Sequence, residues 1–266
     1  MKSENPKHIK INVPDKGNKL LHTAVEKVNT NEEIYTIWEI INVNAIDRLG
    51  MSDHGPVHFQ IVANIALRLA RILNKNGVKM SVVTDHNLSH DHAELIIFLA
   101  SICHDLGMSI HRDDHEEFSL ILTNRLLHEI LNFLPIKEKT IIISETLHAV
   151  ISHRKNGNPL TFEAGILRVA DALDMSEGRS RIPYEKGEKD IYAISAAAIN
   201  SIEIKEGVKF PIEILIKMNN SAGIFQIDEL LKSKLKGSKI DKYIEVNARL
   251  EGKKEKLLIK NYSISG

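Results

Sequence analysis

An apolar run that ends in a His-Asp pair lies near the middle of the chain, where residues 93–107 read AELIIFLASICHDLG. The part from Ala93 to Cys103 predicts a core helix, because almost every position in it is apolar. His104 and Asp105 fall at the buried end of this helix, and Gly107 ends it. A buried imidazole beside a buried carboxylate is costly unless other groups receive both, and a divalent metal ion does so at one centre. A satisfied core or helix-cap pair is the alternative interpretation of these two residues alone.

The composition predicts a cytoplasmic protein without a membrane partner. The 266 residues are 43% hydrophobic, which is enough for one large or two modest domains. The single cysteine excludes a disulfide framework and a cysteine-based zinc site. The chain shows neither an apolar run of membrane-spanning length nor a signal-peptide core at its N-terminus. Lys+Arg and Asp+Glu both total 35, and this balance argues against nucleic acid as a partner.

Histidine is unusually frequent, with 13 residues in the chain. His58 leads the apolar stripe of a helix that starts at Gly55-Pro56, and His54 lies four residues earlier, where it could reach the same side. A helix cap for His54 and a half-buried core position for His58 are the alternatives. His115 falls in the first turn of a later helix. His153 ends the helix after that, where a site would open to solvent.

A carboxylate is set into an apolar helix face further along the chain. In the segment TFEAGILRVADALDM, residues 161–175, Asp171 shares a face with Leu167 and Ala170. Such a carboxylate needs a partner, and a salt bridge to Arg168 is the alternative to a metal ion. Buried histidines and aspartates recur on several separate helices. One shared metal site explains this recurrence better than several unrelated ion pairs do. The residues concerned are His58, His104, Asp105 and Asp171.

The order His58, then His104-Asp105, then Asp171 resembles the H…HD…D signature of the HD superfamily of metal-dependent phosphohydrolases, over about residues 50–182. The segment AIDRLGMSDHGPVH, residues 45–58, also resembles archaeal and bacterial HD proteins of unassigned substrate. Members of the superfamily are helical and bind one or two divalent ions. The resemblance leaves the ion open among Mn, Fe, Co, Mg, Ni and Zn.

The resemblance implies that the four signature residues are metal ligands, with Asp105 catalytic and bridging if two ions bind. It implies that His115 and His153 are ligands of a second ion. In a site with one ion, His115 would instead be the general acid and His153 a phosphate contact.

The expected function is hydrolysis of a small phosphate ester, with a nucleotide as the expected substrate, by metal-activated water. Two other hypotheses keep the same ligands: a di-iron oxygenase of the HD type and a non-catalytic nucleotide sensor. Basic residues just beyond helices that end near the site are candidates to bind the phosphate, with ordinary surface charge as the alternative. The candidate substrate-binding residues are His54, Arg154, Lys155, Arg179 and Arg181.

The sequence changes character after Pro183. Alternating segments there predict strands, and a helix from Gly223 to Leu235 falls between the second and third of them. We therefore predict a mainly α protein, with an all-helical HD-type domain in residues 1–184 and a small α+β domain in residues 185–266. The second domain would have ββαββ order and an antiparallel sheet.

Residues 186–266 contain no histidine or cysteine, so we expect the second domain to be regulatory or to form homo-oligomers rather than to be catalytic. Several lysines follow one another in and after its predicted helix. They are interpreted as a solvated helix end, with anion binding as the alternative. They are Lys232, Lys234, Lys236, Lys239 and Lys242.

Overall fold

The computed structural model describes residues 9–154, 156–175, 191–251 and 261–265. Most of the first part of the chain is helical, which confirms the prediction of a mainly α protein. None of the described helices is both long enough and apolar enough to cross a bilayer. The helices are Lys19–Asn29 (α1), Glu32–Asn42 (α2), Pro56–Lys75 (α3), Ser81–His86 (α4), His90–Cys103 (α5), His115–Ile130 (α6), Ile136–Ser152 (α7) and Phe162–Leu173 (α8).

Helix α5 is the centre of the core. Every side chain from Ala93 to Cys103 is buried, as the apolar run predicts. The helix begins with a capping box, in which Ser89 and His92 satisfy each other's backbone N–H groups. It packs against α1, α3, α7 and α8, so that its apolar surface is covered on all sides.

One buried carboxylate joins three of these helices. Glu94 of α5 accepts hydrogen bonds from Arg71 Nε of α3 at 2.7 Å and from Asn18 Nδ2 at 3.2 Å. Asn18 is also the N-cap of α1, where its side-chain oxygen accepts the N–H of Leu21. Arg71 further donates to the carbonyl of Pro14. The network therefore fixes α1, α3 and α5 relative to one another.

A short 3₁₀ turn, Leu106–Ser109, follows Asp105 and lies tightly against α6. A Cβ at Gly107 would lie 2.0 Å from the carbonyl oxygen of His115 and 2.6 Å from the backbone nitrogen of Ser119. The N–H of Gly107 donates to Ser119 Oγ at 2.8 Å. Because position 107 carries no side chain, α6 can start beside the His-Asp pair.

A four-stranded sheet follows the helices, after a short helix, Ile191–Ala196 (α9). A helical segment, which we call the crossover helix, connects β2 to β3 and comprises Gly223–Phe225, Gln226–Leu231 and Lys232–Leu235. The predicted ββαββ order is therefore observed. The strands are Ile199–Glu206 (β1), Ile212–Met218 (β2), Ile244–Leu250 (β3) and Asn261–Ser265 (β4).

The predicted antiparallel sheet is wrong for its central pair. The strands lie in the order β1-β2-β3-β4, and β1–β2 and β3–β4 are antiparallel, but β2 and β3 are parallel, with Ile212 opposite Ile244. The crossover helix explains this, because it returns the chain to the end of the sheet at which β2 began. A parallel pair requires such a connection.

The sheet and the crossover helix pack on the helical part of the chain. Strands β1 and β2 contact α3, and the crossover helix contacts α8. In α8, Arg168 donates to the carbonyl of Ser233 at 3.1 Å, and the absent side chain of Gly165 leaves room for the carbonyl of Ser238. Buried apolar side chains form one continuous cluster across both parts. The division into residues 1–184 and 185–266 remains a prediction, because its boundary lies outside the described residues.

Candidate metal centre

Five helix ends converge at the His-Asp pair. His58 lies in the first turn of α3, and His104 and Asp105 directly follow α5. His115 is the first residue of α6, His153 directly follows α7, and Asp171 is in the last turn of α8. A ring at a helix end can point beyond the helix, so residues from five helices reach one centre.

The first half of the centre contains His58, His104 and Asp171. The Nε2 atoms of His58 and His104 lie 3.2 Å apart. Oδ1 of Asp171 is 3.7 Å from Nε2 of His58 and 3.8 Å from Nε2 of His104. Both imidazoles are fully or almost fully buried. These three side chains present two nitrogens and one oxygen to a common point, close enough to hold one ion.

The second half contains His115 and His153, and Asp105 joins the two halves. Oδ1 of Asp105 is 3.2 Å from Nε2 of His115 and 3.5 Å from Nε2 of His153. Its Oδ2 is 3.5 Å from Nε2 of His104 and 3.9 Å from Nε2 of His58. Each carboxylate oxygen of Asp105 therefore faces a different pair of histidines.

The outer nitrogens of the four histidines are held by acceptors. Nδ1 of His104 donates to the Ser101 carbonyl at 2.9 Å, and Nδ1 of His153 donates to the Val150 carbonyl at 2.6 Å. Nδ1 of His115 donates to the Arg112 carbonyl at 2.9 Å, and Nδ1 of His58 donates to Asp174 Oδ2 at 2.6 Å. Protonation at Nδ1 leaves the lone pair on Nε2, so His58, His104 and His153 direct an acceptor into the centre. Nε2 of His115 instead donates a hydrogen bond to Oδ1 of Asp105.

The electrostatics of the centre suit a cation. Burial lowers the pKa of His104 to about 4, so this ring is neutral near neutral pH. Burial alone would raise the pKa of Asp105, but the histidines around it outweigh that effect and hold its pKa well below the usual value. Burial likewise opposes protonation of His115, yet the hydrogen bond to Asp105 leaves its pKa raised.

A divalent metal ion fits these residues. With both Nδ1 atoms protonated, the Nε2 lone pairs of His58 and His104 face each other at 3.2 Å, an arrangement that is unfavourable unless a cation lies between them. Imidazole nitrogens with carboxylate oxygens are a donor set typical of first-row transition metals.

Similar proteins identify the family of this chain. The HD domain family matches residues 57–176, a range that includes all six of the predicted ligands. The chain is also 43% identical, over 225 residues, to Uncharacterized protein MJ1020 of Methanocaldococcus jannaschii, and the alignment covers 84% of this chain and 87% of that protein. The chain belongs to the HD domain family. HD domains form a superfamily of metal-dependent phosphohydrolases. No solved structure gives a significant match.

The structure brings together six of the residues predicted for the HD site: His58, His104, Asp105, His115, His153 and Asp171. His54 lies beside them, with its ring centroid 5.6 Å from that of His58 and its Nδ1 donating to the Ser52 carbonyl. Arg154 is exposed and pairs with Glu117 at 2.7 Å. Lys155, Arg179 and Arg181 lie outside the described residues.

Three residues of the HD site were not predicted from the sequence. Asp174 accepts a hydrogen bond from Nδ1 of His58, on the side of the ring away from the centre, and Glu116 lies 3.3 Å from Nδ1 of His115. Lys234 of the crossover helix forms an ion pair with Asp171 Oδ2, whereas Arg168 was the partner considered for Asp171 as the alternative to a metal ion. The position of Asp174, three residues after Asp171, was a usable signal, because residues with this spacing share a helix face.

Proposed function

We propose that this HD protein hydrolyses small phosphate esters, with nucleotides as the substrate class. The supporting observation is the position of Asp105, whose two oxygens face two pairs of inward-directed imidazoles. A centre of this kind offers several neutral nitrogens and few negative charges, so it suits an ion that must also accept an anionic substrate. A cytoplasmic location and homo-oligomer formation remain predictions.

His58, His104, Asp171 and Oδ2 of Asp105 would hold one ion, and Oδ1 of Asp105 with His115 and His153 would hold a second. Lewis acidity is the chemistry that such ions supply, since it makes water nucleophilic near neutral pH and neutralises phosphoryl charge. The protein's own hydrogen bonds fix the positions of the ligand side chains. The four Nδ1 anchors prevent the rings from turning, and Asp174 does this for His58 by way of its carboxylate.

His115 has a second role if only one ion binds. Its raised pKa and its Nε2, 3.2 Å from Asp105, suit a general acid that gives a proton to the leaving ester oxygen. His153 would then contact the phosphate. The two arrangements use the same residues and differ in the number of ions per chain.

The test is a screen of phosphate esters, including nucleotides, with metal-depleted protein reloaded separately with Mn²⁺, Fe²⁺, Co²⁺, Mg²⁺, Ni²⁺ or Zn²⁺. We expect phosphate release from at least one ester. Asp105→Ala should lose bound metal and reduce turnover by at least about 100-fold, because both halves of the site lose an oxygen ligand. Asp113→Ala, at an exposed position eight residues later, is the matched control and should behave as wild type.

Three results would contradict the proposal. Full metal content in a folded Asp105→Ala variant would remove Asp105 from the metal site. Tight nucleotide binding without turnover by the reloaded wild type would favour a sensor. Oxygen-dependent product formation by the iron-loaded protein, without ester hydrolysis, would favour an oxygenase.

A further inference from the structure

A lysine from the C-terminal part of the chain reaches the metal centre. Lys234 lies in the last segment of the crossover helix, and its ammonium pairs with Oδ2 of Asp171. The other oxygen of Asp171, Oδ1, is the one that faces His58 and His104 at 3.7 and 3.8 Å. Asp171 thus separates the ammonium from the metal-facing nitrogens by the width of one carboxylate.

The backbone around Lys234 is fixed on the helix that carries Asp171. The neighbouring Ser233 carbonyl accepts a hydrogen bond from Arg168 of α8, and Leu235 is buried. The Ser238 carbonyl lies so close to α8 that a Cβ at Gly165 would be 1.7 Å from it. Lys234 is therefore held at the site by packing on both sides, unlike a surface lysine that contacts a carboxylate by chance.

The positive charge of Lys234 does not help the centre to bind a metal ion. An ammonium this close to a metal ion repels it, and its hydrogen bond also makes Asp171 a weaker ligand. An ammonium has three N–H donors, and Asp171 is its one acceptor among the residues that the structure describes. The side chain is 17% exposed, so its remaining donors can meet a ligand that enters the centre.

We propose that Lys234 contacts the phosphate group of the substrate, so that both parts of the chain build the hydrolase site. This inference rests on the proposed function. An anionic phosphate placed between the metal ligands and the ammonium would be attracted by both charges, and it would use the donors that Asp171 leaves free. This role for Lys234 differs from our expectations that residues 186–266 are not catalytic and that their lysines are solvated.

The experiment measures inorganic phosphate binding to the Mn²⁺-loaded full-length protein by calorimetry, together with metal content. Lys234→Met should weaken phosphate binding by about tenfold or more while the metal content stays at the wild-type level, because one charge-assisted hydrogen bond is lost. Lys234→Arg should restore most of the affinity. Lys232→Met is the matched control, since Lys232 lies two residues before Lys234, is 52% exposed and pairs with Asp228, and this variant should bind phosphate as wild type does.

Two results would overturn the inference. Unchanged phosphate affinity in fully metal-loaded Lys234→Met would show that the ammonium does not contact the anion. Loss of metal from this variant would show that Lys234 only positions Asp171. If the wild type binds phosphate but cleaves no ester, the proposed function fails, while the binding comparison still decides the role of Lys234.

Discussion

Asp105 divides the centre into two halves that single substitutions can separate. Nε2 of His153 faces Oδ1 of Asp105 at 3.5 Å, and its ring packs edge-on against that of His104, whereas His58, His104 and Asp171 form the other half. If two ions bind, His153→Ala should lower bound metal from about two to about one per chain, because one half keeps all its ligands. Metal content is measured by mass spectrometry of the loaded, desalted protein.

His148→Ala is the control for this measurement. His148 lies on the same helix, but its Nε2 accepts the N–H of Leu160 away from the centre. Its substitution should leave the metal content unchanged. A His153→Ala variant that loses activity yet keeps the full wild-type metal content would contradict a second ion held by His153.

The site residues that could be predicted are those that stand out within their own stretch of sequence. His58, His104, Asp105 and Asp171 each stand at an apolar helix face, where a polar side chain needs a partner. Lys234 carries no such signal, because the segment around it reads as a basic helix end. Only the packing of the crossover helix on α8 brings it to Asp171.

At the scale of the elements, the contact between α8 and the crossover helix can be tested at Gly165. A Gly→Ala substitution inside a helix normally stabilises it by up to about 1 kcal/mol. Here the added Cβ would lie 1.7 Å from the Ser238 carbonyl oxygen. We therefore expect Gly165→Ala to lower the free energy of unfolding by about 1–3 kcal/mol, as overpacking does.

Urea unfolding of the full-length protein measures this difference. The displaced crossover helix should also carry Lys234 away from Asp171, so phosphate binding should weaken together with stability. A Gly165→Ala variant that is more stable than the wild type would show that α8 and the segment around Ser238 are not in close contact.

The direction of the central strand pair illustrates a limit of prediction at this scale. Alternating residues predicted β2 and β3 because one face of each is buried. The same alternation is compatible with either direction of a neighbouring strand. The direction depends on where the crossover helix packs, and that is set by α8, which lies far away in the sequence.

At the scale of the whole molecule, the Glu94 network makes stability depend on pH. Burial alone would raise the pKa of Glu94, but the hydrogen bonds from Arg71 and Asn18 outweigh this effect, so the pKa lies below the ordinary value of a glutamate. A carboxylate with a lowered pKa stabilises the fold above its unfolded-state pKa. This contribution is lost as the pH falls through the folded-state value.

Glu94→Gln should therefore lower the free energy of unfolding by about 1.5–3 kcal/mol at pH 7, because charged hydrogen bonds are lost. The difference from the wild type should shrink as the pH falls below 4.5. Urea unfolding at a series of pH values measures it, with Glu129→Gln on the exposed side of α6 as control. A difference that stays constant as the pH falls from 7 to well below 4.5 would contradict this role for the Glu94 charge.

The close approach of Gly107 to α6 sets a condition on related sequences. The carbonyl that excludes a side chain at position 107 belongs to His115 itself, so any larger residue there must push this histidine away from Asp105. During evolution, the two positions should therefore change together. We expect relatives with a bulky residue at the position of Gly107 either to lack the second histidine pair or to have a longer connection before α6. Position 107 would then distinguish, within the family, chains that can build both halves of the centre from those limited to one.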